Sequence, residues 1–168
     1  VALHATDPSS VFLSAAARVD NASVEVVERA LYEDRTLIRH HAMRRTLWVM
    51  PKEIVPAAHS SSTLPIAERE WRRFISWLED TEHIESATDW AGQATEVLLE
   101  FLEANGPATT RQVGEALPDL RAHITIAAGT RQETTAPAHS RLLLLLGFEG
   151  EIVRTRPSGS WVASNFAW

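Results

Sequence analysis

Twice along this chain of 168 residues, a helix-forming stretch runs directly into a short basic segment with the composition of a β-hairpin. The first, Thr36 to Pro51 (TLIRHHAMRRTLWVMP), has no carboxylate and carries Arg39, Arg44 and Arg45 beside His40 and His41. Its β-branched and aromatic residues, Thr36, Ile38, Thr46, Trp48 and Val49, suit strands, and Pro51 ends the second of them. The second segment, Glu151 to Ser164, places Arg154 and Arg156 beside a Pro157-Ser158-Gly159-Ser160 turn. A hairpin with a cationic tip behind a run of helices describes a winged helix, in which one helix enters a DNA groove and the hairpin touches backbone or minor groove. The same arginines also fit an ordinary hairpin with solvated charges.

Periodicity and punctuation predict what lies between. Ser9 or Ser10 can cap a short helix through Arg18, and Ser23 opens a second with Val26, Val27, Ala30 and Leu31 at helical spacing. Pro51 to His59 reads as a short helix and Ser60-Ser61-Ser62 as a loop or linker. Pro65 then suits the first turn of a packing helix with Ala67, Trp71, Phe74, Ile75 and Leu78 as its apolar stripe. A further helix runs from about Asp89 to Ala104 and stops at Asn105-Gly106-Pro107. Thr109 and Gln112 form a capping box for a short helix that Pro118 terminates. Arg121 to Thr135 stays open between strand and loop. Pro137 begins a helix through Leu146, closed by Gly147, whose polar first turn of His139, Ser140 and Arg141 is its only part able to reach DNA.

The expected fold is therefore mainly α with small β-hairpins (α+β), a tandem winged helix-turn-helix. A first winged-helix domain spans 1–60, with its N-terminal helix missing because VALHA reads as the end of a helix. A connecting helix spans 61–88, and a second winged-helix domain spans 89–168.

Composition narrows the function classes. With 45% hydrophobic and 23% charged residues the chain has the make-up of a globular protein, and Leu142 to Phe148 is too short an apolar run to cross a bilayer. There is no cysteine, so there are no disulfides or thiolate metal sites, and with no visible signal peptide the cytoplasm is the default location. The net charge of -6 argues against a general nucleic-acid binder. Its distribution qualifies that objection: ten carboxylates fall between Leu64 and Asn105, and both hairpins escape them. The adjacent His40 and His41 point to opposite faces of a strand and cannot jointly grip an ion, so no metal is expected. No Gly-rich phosphate loop or hydrolase motif is present, and no cofactor is expected. Trp71 and Trp90 fall on apolar helix faces, whereas Trp48 and Trp161 sit in hairpins beside arginines, where they can stack on bases or anchor the hairpin.

Taken in order, LHATDP, SVFLSAAARV, LYEDRTLIRHHAMRRTLWVMP and GEIVRTRPSGSWVASNFAW resemble the AlkZ-like DNA glycosylases over nearly the whole chain. The most specific portions are Leu37-Ile38-Arg39, Met43 to Pro51, and the R-x-RP-x-GSW run at Arg154 to Trp161. Members of that family are roughly twice this length, so the resemblance implies a chain lacking both ends. It also implies that double-stranded DNA, including alkylated DNA, is the partner, contacted by Arg39, Arg44, Arg45, Arg141, Arg154 and Arg156. The family's catalytic pair is Gln-apolar-Gln or Gln-apolar-Asp, and the matching positions here are His4, Ala5 and Thr6. By that resemblance His4 is base or orienter of water, Thr6 holds the water, and Asp7 supplies negative charge. Residue chemistry alone offers a second account, in which Thr6 and Asp7 make a turn before Pro8 and His4 terminates a helix. Two other functions suit the same fold, a transcription regulator and a winged helix that binds protein.

Overall fold

The computed structural model describes residues 2–168; Val1 lies outside the described residues. The Thr36–Pro51 hairpin is present, built from β2 (Leu37–His41) and β3 (Leu47–Pro51). The two pair antiparallel from Leu37 opposite Pro51 to His41 opposite Leu47. The other edge of β3 is taken by a two-residue strand, β1 (Leu3–His4), with Leu3 opposite Val49 and His4 opposite Trp48. The stretch expected to be the end of a helix is thus an edge strand. Two residues carry no periodicity of their own, and only the partner strand makes them extended.

Helix α1 (Pro8–Ala16) is capped by Asp7, not by Ser9 or Ser10. Helix α2 (Val24–Glu28) is capped by Ser23 and continues through a π turn over Arg29–Glu33 into the hairpin. Ala5, Val11, Phe12, Val27, Leu31, Leu47 and Val49 form the core beneath the sheet, and Trp161 packs against it. After β3 the backbone stays helical, through a 3-10 turn (Lys52–Ile54), α3 (Val55–Ala58) and a π turn (His59–Thr63). The expected serine linker is therefore helical, because Ser60 and Ser61 donate to the carbonyls of Pro56 and Ala57 at 2.7 Å each. That back-bonding lets serine sit inside a helical turn.

Helix α4 (Leu64–Glu79) leads to α5 (Ala87–Asn105), which ends at Gly106 with φ 77°. The capping box of Thr109 and Gln112 opens α6 (Thr110–Ala116). The open stretch after it resolves into a two-stranded hairpin, β4 (His123–Ile126) with β5 (Thr134–Pro137). Helix α7 (Ala138–Glu149) runs past Gly147 and stops at Gly150, whose φ of 84° supplies the left-handed exit. Phe74, Leu78, Leu98, Val113, Ile124, Leu142 and Leu145 are among the buried apolar residues of the second unit. Of the five consecutive leucines, Leu142, Leu143, Leu145 and Leu146 are core and Leu144 is half-buried.

The second basic segment is the main correction. Residues 151–168 contain no strand. Two backbone bonds, Thr155 N to Ala167 O (2.9 Å) and Ser158 N to Asn165 O (2.7 Å), hold an irregular loop. Pro157 lacks a donor between them, so a ladder cannot propagate. The chain forms two compact units. One joins the described residues up to Ile66 with Gly147–Ala167, and the other is Ala67–Leu146 with Trp168.

Two features make testable demands on stability. An added Cβ at Gly114, inside α6, would lie 2.7 Å from Cε1 and Nε2 of His139, a buried ring whose Nε2 is 3.2 Å from the Thr110 carbonyl. Glycine to alanine in a helix ordinarily gains up to about 1 kcal/mol. Here the ring cannot yield freely, so Gly114→Ala is expected to cost about 1–3 kcal/mol in urea unfolding, partly relieved by His139→Ala.

His40 and His41 are both buried and both held neutral, with pKa values pulled down to about 4. Burial is the first cause for each, reinforced at His40 by His59 and at His41 by Arg154. In the unfolded chain the same rings titrate near 6.5. Their contribution is therefore fully present above about pH 6.5 and is lost as pH falls toward 4, by up to about 3 kcal/mol per ring. Unfolding midpoints should fall steeply between pH 7 and 4.5, and His41→Gln should flatten the slope.

Candidate nucleic-acid interface

The period of two along β3 sorts the candidate residues of the first unit onto two faces. His4, Trp48 and His40 are in register across β1, β3 and β2, and so are Leu3, Val49 and Arg39. Paired residues share a face. The His4 ring meets the Trp48 ring edge-on at 5.1 Å, and His40 Nε2 lies 3.0 Å from His59 Nδ1. His41 turns the other way and packs edge-on against Phe148 at 4.5 Å. The two adjacent histidines do point apart. Among the described residues, no group of three His, Asp or Glu side chains gathers as a metal set.

His4 and Thr6 are exposed, and Thr6 Oγ1 lies 3.4 Å from His4 Nε2. Buried Ala5 sits between them and donates to the Leu47 carbonyl at 2.8 Å. The alternation of strand β1 thus buries the middle residue and turns both polar neighbours outward. Asp7 caps α1: its carboxylate accepts from Ser9 N (3.2 Å), Ser9 Oγ (2.7 Å) and Ser10 Oγ (3.1 Å). The Ser9 and Ser10 hydroxyls are the main reason its pKa lies below the usual value.

Of the six arginines singled out, the structure gathers three. Arg39, Arg154 and Arg156 line one cleft of 510 Å³, together with Leu31, Tyr32 and Arg35. Arg154 stacks on Phe166 with its guanidinium carbon 4.1 Å from the ring centroid, and its pKa is brought down to about 10 by burial and then by the charge on Arg39. Arg156 donates to Glu33 at 3.0 Å and lies 5.2 Å from the centre of the Tyr32 ring. Tyr32 and Arg35 escaped the sequence reading. Their one signal is position, since both fall in the short stretch joining the second helix to the first hairpin.

Arg44 and Arg45 are exposed at the β2–β3 turn, with φ of 57° and 65°. Arg141 belongs to the second unit and covers Trp77 at 5.3 Å. His139, expected beside it in a DNA-reaching turn, is 3% exposed and faces Gly114. It cannot reach a nucleic acid. Trp161 packs on Phe12 at 5.3 Å, which makes it an anchor. The Trp48 indole donates to Thr46 Oγ1 (3.0 Å) and so braces its own turn. In the second unit a cleft of 570 Å³ is lined by Asp80, Glu82 and Asp119, a surface that repels phosphate.

The fold and the cationic cleft define a mostly helical protein with small antiparallel sheets, in which Arg35, Arg39, Arg154 and Arg156 gather in one cleft of the first unit. The family of DNA glycosylase AlkZ-like proteins matches residues 1–168, and the chain belongs to that family. No curated protein and no solved structure matches it significantly. No helix among the described residues is long and apolar enough to cross a membrane.

Two substitutions separate anchoring from exposed charge. Trp161→Ala should lower stability by roughly 1–3 kcal/mol, because a half-buried indole leaves the Phe12 contact. Arg44→Gly should leave it unchanged or raise it by up to about 1 kcal/mol, since glycine takes the left-handed backbone without strain. Urea unfolding of both variants checks the pair.

Proposed function

We propose that this chain binds duplex DNA in the manner of a winged helix and hydrolyses the N-glycosidic bond of alkylated purines, such as N7-alkylguanine. The observation that supports this reading is the family match over residues 1–168, joined to the outward-facing pair of His4 and Thr6, which the resemblance aligns with the family's catalytic pair. The Arg44–Arg45 turn and the arginine-lined cleft supply cationic groups for phosphates, and Arg141 is a further candidate contact on the second unit.

The chemistry asks for little. An N7-alkylated purine is already cationic, so the C1′–N9 bond breaks with its electron pair passing to the base, which leaves neutral. No acid is needed for that departure. What remains is to hold a water at C1′, accept its proton and stabilise oxocarbenium character. In the proposal Thr6 Oγ1 orients the water, His4 takes the proton as the C1′–O bond forms, and Asp7 adds negative charge while capping α1.

A protein-binding winged helix is the second reading, and the acid-lined cleft of the second unit favours it. Incubating the chain with duplex carrying N7-methylguanine should release the base and leave abasic sites. His4→Ala should reduce that rate by about a hundredfold or more, with folding unchanged. A wild-type chain that forms no abasic sites sinks the catalytic assignment. Binding to undamaged duplex should weaken steeply with salt, and a flat response would favour the protein-binding reading.

A further inference from the structure

The first unit contains charged and polar donors that its own fold leaves unanswered. Arg39 sits on β2 opposite Val49, on the sheet face that packs over the core. Its Nε and Nη2 are out of contact with water and have no hydrogen-bond partner, and the same holds for the hydroxyl of Tyr32. Buried donors in this condition are rare, because each has lost its water without replacement. Arg39 is half-buried, and guanidinium nitrogens shut off from water with no acceptor cost more than a neutral donor in the same place.

Both residues line the 510 Å³ cleft that also holds Arg35, Arg154 and Arg156, and Glu33 is the only carboxylate among its lining residues. That carboxylate is already engaged by Arg156. Glu28 is the other acidic group whose charge bears on Tyr32, against Arg39 and Arg156. Four arginines against one lining carboxylate make a positive cavity in a chain of net charge -6.

We propose that this cleft is a binding site for a single phosphate group, held by the Arg39 guanidinium and the Tyr32 hydroxyl and screened by Arg35 and Arg156. A phosphate has enough acceptor oxygens to serve a guanidinium fork and a phenol together, which one carboxylate already paired to Arg156 cannot do. The side chains that must open to admit it, Arg35 and Arg156, are exposed and therefore cheap to move. The donor arrangement is independent of the function proposed above. The further step, that the phosphate belongs to a DNA backbone, rests on that reading.

The experiment uses the full chain, inorganic phosphate at constant ionic strength, and an undamaged duplex. Its variants are Arg39→Met, Tyr32→Phe and, as an exposed control, Arg131→Ala. In phosphate-free buffer Arg39→Met should melt at or above the wild-type temperature, because an unanswered buried charge has been removed. Phosphate should raise the wild-type Tm by about 2 °C or more and leave that of Arg39→Met unmoved, with Tyr32→Phe between them. If the source is DNA, Arg39→Met should also weaken duplex binding by about tenfold and reduce the salt slope by about 1, whereas Arg131→Ala should do neither.

An Arg39-dependent phosphate shift with duplex binding absent upholds the cleft as a free-phosphate site and overturns the DNA reading instead. The same shift with duplex binding unchanged in Arg39→Met upholds the cleft and removes it from the DNA path. No phosphate shift in the wild type, together with unchanged duplex affinity in Arg39→Met, overturns the proposal and leaves the DNA reading intact.

Discussion

Strand β3 is hydrogen-bonded on both sides, and its period of two decides which face each residue of the three-stranded sheet takes. Leu47 and Val49 must face the core, so Trp48 must face away, and the pairing carries that choice to both neighbours. His4 and His40 are thereby put on the Trp48 face, and Arg39 is put over the core. A slip of one residue would exchange all of them. The chemical layout of this unit is thus a consequence of burying two aliphatic side chains, with the π turn ahead of β2 and the helical turns after β3 fixing where the hairpin begins and ends.

That constraint produces an electrostatic tension. Arg39 on the core face has two guanidinium nitrogens shut off from water, and Arg154 nearby has its pKa lowered to about 10, by burial first and by the charge on Arg39 second. Stacking on Phe166 offsets part of the cost for Arg154. A fold with no use for these charges would be more stable with apolar residues of the same volume. The exposed arginines of the β2–β3 turn carry no such cost, yet both take left-handed backbone. There the strain is conformational, held by Thr46, which returns its backbone N–H and its hydroxyl to the Met43 carbonyl at 3.2 and 2.9 Å.

How much of this was legible follows from where each signal resides. The first hairpin, the Ser23 cap, the Thr109–Gln112 box and the Gly106 stop were readable because turn and cap chemistry is local. The Glu151–Ser164 hairpin misled for the same reason: its turn residues are correct, but a strand pair also needs donors, and Pro157 breaks the row. The β4–β5 pair was ambiguous because only Ile124 and Ile126 mark it against polar neighbours. Strand β1 was invisible, since two residues have no period and their partner lies more than forty positions away. At the site, His4, Thr6 and the gathered Arg39, Arg154 and Arg156 were named from residue identity and resemblance. Tyr32 and Arg35 were not, because a cleft exists only after the chain has folded.

Under the proposed reading, in which His4 and Thr6 stand where the family has its catalytic pair, their geometry bears on whether the chemistry is feasible. A glutamine offers both a donor and an acceptor on a flexible stem, and an imidazole and a hydroxyl offer the same two functions on shorter ones. What must be kept is that both point to one side with the apolar residue between them locked down. Ala5 does this by donating to the Leu47 carbonyl, so backbone pairing sets the direction of both side chains. Asp7 anchors the next turn by capping α1, its carboxylate accepting from Ser9 N. In that proposal, rigidity at the flanks substitutes for side-chain identity: the strand pairing and the helix cap hold the backbone on which an imidazole and a hydroxyl lie 3.4 Å apart.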